Sequence, residues 1–163
     1  MRRILLNITF AVLLICTAYP LFSQDISVGG SWDLSIDVSD MQSGMISELN
    51  STYESPADQI TSSVTNSSYG WFGTWYWMVS VSRDNTQWHS ALHLDVRRSS
   101  SGLGFGSVSG GTSYQEVTTT NRAFITGSRH RLWMGFQLRV RGVSSAVPAG
   151  TYSTTVTYTI VEL

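Results

Sequence analysis

Only one cysteine occurs in this chain, Cys16, and it lies in a largely apolar N-terminal segment. A mature chain that begins after that segment has no disulfide, so a packed core must hold it together. There is no lysine, and charged residues make up only 13% of the sequence. From residue 25 onward eight arginines stand against eleven acidic residues, a balance of −3 that leaves no basic field to attract nucleic acid. The apolar run Ile4 to Ile15 has 12 residues, well short of the roughly 20 that a membrane-spanning helix needs. Nothing later is long enough to span a membrane, and no stretch carries a convincing helical periodicity.

What is present at the N-terminus reads as a secretory signal peptide over residues 1–24. Arg2 and Arg3 precede the apolar run, and Ser23 offers a small residue for cleavage. The remaining 139 residues, 25–163, suit one domain that is secreted, periplasmic or attached to the cell surface. Leu13-Leu14-Ile15-Cys16 also loosely resembles a lipoprotein acylation motif, which would make Cys16 a lipid anchor. Ile15 departs from the small residue that motif has before its cysteine.

The mature part alternates in the manner of strands. Ile26, Val28, Gly30, Trp32, Leu34, Ile36 and Val38 share one face and mostly polar residues the other. A modest strand follows over Gln59 to Thr65, with Met41, Met45 and Leu49 before it at the spacing of a short helical turn. Trp71 to Val81 is apolar on both faces, which suits a central strand, and Leu92, Leu94 and Val96 alternate in a strand predicted to complete a hairpin with it. Ser113 to Thr119 and Ala123 to Ile125 are shorter pieces. Leu132, Met134, Phe136, Leu138 and Val140 give the cleanest inward pattern, opposite Arg131, Trp133, Gln137 and Arg139. The pattern predicts an all-β fold, a single antiparallel sandwich of seven or eight strands with Greek-key connections.

The closing stretch, Val147-Pro148-Ala149-Gly150-Thr151-Tyr152 followed by Thr154 to Thr159, resembles the last strand of secreted bacterial Ig-like domains, notably spore coat protein U type pilins and WxL surface domains. The resemblance covers about 18 residues, and Glu162 stands where such pilins often carry an aromatic residue. It implies an Ig-like sandwich that is a structural or adhesive part of an extracellular assembly. It also implies a use for the N-terminal alternation, in which Ile26, Val28, Gly30, Trp32, Leu34 and Ile36 complete a neighbouring subunit by strand addition. The alternative is that the same residues form the first strand of their own domain.

Residues that would carry catalysis are sparse. His89 and His93 on one strand would lie roughly 13 Å apart, too far to share a metal, and Gly102 to Gly106 has no helix after it to make a phosphate loop. No metal, cofactor or enzymatic activity is expected, and the glycine run reads as a flexible strand connection. The six tryptophans are more informative. Trp133 falls on the polar face with Arg131 and Arg139, and Trp71 and Phe72 stand beside glycines at a strand mouth, so a carbohydrate-binding surface is the second expectation. The competing reading has Trp133 covered by a loop or stacked on arginine. The charges are segregated as well, with seven carboxylates from Asp25 to Asp58 ahead of the first mature-chain arginine.

Overall fold

The computed structural model describes residues 4–8, 24–36 and 49–163, the first of these as backbone alone. Cys16, Val38 and the predicted turn at Met41 and Met45 lie outside the described residues. Among those described there is no helix, and thirteen strands replace the expected seven or eight because several are fragments of two or three residues. In the first half these are β1 (Ile4–Ile8), β2 (Gln24–Gly29), β3 (Trp32–Ile36), β4 (Thr52–Glu54), β5 (Ile60–Asn66) and β6 (Tyr76–Arg83). Then come β7 (His93–Arg98), β8 (Val108–Gly110), β9 (Gln115–Glu116), β10 (Arg122–Ser128), β11 (Arg131–Arg141), β12 (Thr151–Tyr152) and β13 (Val156–Glu162).

Two antiparallel sheets make a sandwich-like body. One runs β2-β5-β11-β7-β9, with β4 sharing the β5 edge of β11, and the other runs β13-β6-β10-β8. A smaller sheet, β12-β1-β3, joins β1 antiparallel to β3 and parallel to β12. In the full-length chain, residues of the predicted signal peptide thus pair with the edge of β3.

The N-terminal alternation is docked on its own domain. Ile26 pairs in register with Val64 of β5, and Ile26, Trp32 and Ile36 are buried in the core. Gly30 makes the bend from one sheet to another, at φ 115°, and a Cβ there would stand 2.5 Å from the Gln59 carbonyl. Only glycine fits that turn.

β6 has β13 on one edge and β10 on the other. This overturns the expected hairpin with the 92–96 strand, which became β7 in the opposite sheet. Both edges of β6 are taken, so residues 84–92 carry the chain across the sandwich. The strand is also shorter than the apolar run at 71–81. Trp71 and Phe72 precede β6 and are exposed, while Trp77 is fully buried and donates its indole N–H to the Arg129 carbonyl at 2.8 Å. The closing stretch likewise divides. Thr151–Tyr152 pairs with β1, Ser153 bridges Gln87, and only Val156–Glu162 joins β6.

The sheets meet through aromatic rings. Phe136 of β11 lies 5.3 Å from Phe124 of β10 and 5.4 Å from Tyr158 of β13, centroid to centroid. A bulge between Ala123 and Ile125 lets consecutive Phe124 and Ile125 both be buried. The Tyr158 hydroxyl has no hydrogen-bond partner among the described residues, and burial pushes its phenol well above the ordinary tyrosine range.

Two outcomes are expected at this contact. Phe136→Ala should cost about 3–5 kcal/mol in denaturant unfolding, whereas Tyr158→Phe should gain about 1 kcal/mol by removing an unpaired buried hydroxyl. The native-like phenol stays neutral when that of the unfolded chain ionises. The wild type should therefore lose stability as the pH rises above about 10, and Tyr158→Phe should lose less.

Candidate functional site

β11 divides into two electrostatic halves. In its C-terminal half, the register sets Arg139 between Glu54 of β4 and Asp95 of β7, with Glu116 of β9 beyond. Glu54, one of the early carboxylates, lies opposite Arg139 in this register. Asp95, whose side chain is only 2% exposed, accepts from Arg139 Nε at 2.8 Å and from Arg141 Nε at 2.6 Å. Burial alone would raise its pKa, but the hydrogen bonds and charges of Arg141 and Arg139 outweigh it and hold the carboxyl below its ordinary value. Arg97 donates twice to Gln137, and the Tyr114 ring covers the Arg97 and Arg139 guanidiniums at 4.9 and 3.8 Å. Burial, and Glu54 beside its hydroxyl, push the Tyr114 phenol up. His93 Nδ1 is 2.8 Å from Glu116. The expected polar outer face is therefore a closed network, and Arg139, a candidate for ligand contact, is engaged within it.

The N-terminal half of β11 is built differently. A bulge between Arg131 and Met134 sets Arg131 opposite Val64 and Met134 opposite Ser62. Directly opposed residues point to the same face, so Arg131 has left the outer face of Arg139, and its half-buried side chain reaches the Gly104 carbonyl at the end of the sandwich. The period-2 reading missed this because one extra residue inverts the parity. Trp133 sits in the bulge at φ 54°, donates its backbone N–H to Ser63 Oγ at 3.1 Å, and keeps its side chain 61% exposed. It is neither covered nor stacked between arginines.

Beside this half two loops carry the other exposed apolar groups. Residues 67–75 bear Trp71 and Phe72, and residues 99–107 bear Leu103 and Phe105. Phe72 and Phe105 touch across the loops at 5.1 Å. Leu103 pairs through both backbone bonds with Leu132, and Gly104 at φ 141° would press a Cβ to 2.2 Å from the His130 carbonyl. The glycine run is therefore a closely packed loop, not a free connection. His130 fastens the first loop from below. Its Nδ1 accepts the Asn66 N–H at 3.3 Å, its Nε2 lies 3.0 Å from the Tyr69 carbonyl, and its ring rests 5.1 Å from that of Trp71. The bond from Asn66 leaves the hydrogen on Nε2, where it reaches Tyr69.

Of the sequence candidates, the structure brings Trp71, Phe72, Arg131 and Trp133 to one end and leaves Arg139 at the other. Ile26, Val28, Gly30, Trp32, Leu34 and Ile36 belong to β2, β3 and the bend between them. Leu103, Phe105 and His130 are not among those candidates. The signal available was two large apolar side chains interleaved with glycines in an otherwise Ser-rich loop. Among the described residues no group of histidine, cysteine and carboxylate side chains could hold a metal. No protein-family model, curated protein or solved structure matches this chain.

Asp95→Asn should cost about 2 kcal/mol at neutral pH, less than a fully buried pair because the arginine side chains are 25% and 39% exposed. The folded Asp95 pKa is depressed, so its contribution is complete above the ordinary carboxylate pKa and is lost as the pH falls through the folded value. Acid unfolding followed by circular dichroism should show that limb in the wild type and a shallower one in Asp95→Asn.

Proposed function

We propose that this protein is a secreted or cell-surface Ig-like β-sandwich that works by adhesion rather than catalysis, as a component of an extracellular assembly. The observation that carries the reading is the group of large apolar side chains left exposed at one end of a closed sandwich, where Trp71, Phe72, Leu103 and Phe105 stand on loops tied down by backbone hydrogen bonds. Exposed apolar patches of this kind mark sites of interaction. The Ig-like assignment rests on the facing antiparallel sheets and on the closing Val147 to Thr159 stretch.

The N-terminal segment is docked in its own chain, so contact with other surface components, like subunits included, is assigned to the aromatic end instead of to strand donation. Carbohydrate binding is the narrower form of the same reading, favoured by the exposure of Trp133. Secretion should yield a product beginning at or near Gln24 by mass analysis, and that product should remain on the surface of the producing cells. The combined change of Trp71, Phe72 and Phe105 to Ser should release it about tenfold or more into the medium with an unchanged thermal midpoint, since truncation of interface aromatics commonly costs 1–2 kcal/mol or more. Unprocessed chain inside the cell, or a variant retained as firmly as the wild type, would count against the proposal.

A further inference from the structure

Three arginines at the aromatic end have no carboxylate partner among the described residues. Arg98 donates to the Gly110 carbonyl at 3.0 Å and to Ser101 Oγ, Arg129 to Thr74 Oγ1 at 3.3 Å, and Arg131 to the Gly104 carbonyl at 2.7 Å. The ion pairs described all belong to the other half of β11 and its neighbours. Arg98 and Arg131 are also close enough to repel, since burial and then the charge of Arg131 lower the Arg98 pKa. Each arginine roots a segment beside the exposed rings, Arg129 the loop of Trp71 and Phe72, Arg131 and Arg98 the loop of Leu103 and Phe105. The end of the sandwich therefore combines fixed aromatic rings with three arginines outside any ion pair of the described residues, while the nearby carboxylates are held by hydroxyls, Glu162 by Tyr69 and Asp58 by Ser99.

From this juxtaposition we infer that the aromatic end is a binding site for an acidic polysaccharide, in which sugar rings lie on Trp71, Phe72 and Phe105 while uronate carboxylates face Arg98, Arg129 and Arg131. This rests on the adhesive reading and gives it a ligand. Aromatic faces take the C–H faces of pyranose rings, and guanidinium is the side chain best matched to a carboxylate. The rigidity of the platform favours stacking over insertion into lipid. Phe72 and Phe105 are in contact, Leu103 is tied to Leu132, and His130 fixes the loop beneath Trp71 through two ring nitrogens. Trp133 flanks the same loop, for a Cβ on Gly102 would stand 2.8 Å from the Trp133 carbonyl carbon.

The test uses the mature protein with alginate, neutral dextran and anionic phospholipid vesicles as separate probes, read by sedimentation or calorimetry. Alginate should bind at least about tenfold more tightly than dextran, and raising the salt from about 50 to about 500 mM should weaken it severalfold. Phe72→Ser with Phe105→Ser should abolish binding. Arg98→Gln with Arg131→Gln should remove the preference for alginate, and Arg131→Lys should restore part of it. Trp133→Asn, which tolerates the left-handed backbone better than alanine, tests the flank. Equal and salt-insensitive binding of alginate and dextran would overturn the acidic ligand while leaving aromatic adhesion standing. Binding to vesicles alone would overturn it in favour of a lipid surface, and binding to no probe by a folded protein that still adheres to cells would overturn the polysaccharide altogether.

Discussion

Burial of rings between two sheets holds this protein together, with Phe136 set against Phe124 and Tyr158 at the centre. With one cysteine the chain can form no internal disulfide, so the apolar faces of β11, β6 and β13 carry the load that a cross-link shares in other small domains. That demand dictates much else. β11 must keep Met134, Phe136, Leu138 and Val140 inward without interruption, and Gly127 must lack a side chain because the Trp77 ring occupies the space where its Cβ would stand, 2.3 Å away.

With the inner face committed to packing, the outer face and the ends were free to differ. Along the C-terminal half of β11 the outer face closed on itself through Asp95, Arg139, Arg141 and the Tyr114 ring. The N-terminal half ends in a bulge that moves Arg131 off the outer face toward Gly104, leaves Trp133 outward, and receives the 99–107 loop against its backbone. One strand thus joins an ion-paired network to an open aromatic end, and the bulge is where the change occurs.

Much of this was legible in the residues. The alternation of β2, β3 and β11 shows which side chains face inward, and parity places Trp133 on the outer face but does not say whether a loop or an arginine covers it. The hairpin expected between the 71–81 and 92–96 segments does not form, because a period of two specifies the face of a strand and says nothing about its neighbour. Arg131 departs from its expected face for a related reason, since a bulge has no reliable signature in a single sequence. Leu103 and Phe105 looked like parts of a flexible loop, and their anchoring depends on backbone contacts with residues 128–134 that lie far away in the chain.

The sequence by itself determined the all-β class of fold, the lack of any internal disulfide and the inward set of the core strands, because these follow from composition and from local periodicity. Only the tertiary structure decided which strands pair, that the closing segment divides between two sheets, and that Trp71, Phe72, Leu103 and Phe105 gather beside arginines that hold loop carbonyls and hydroxyls. Those features arise from contacts between residues distant in sequence, where space filling and hydrogen-bond closure select one arrangement among many that the local pattern allows equally.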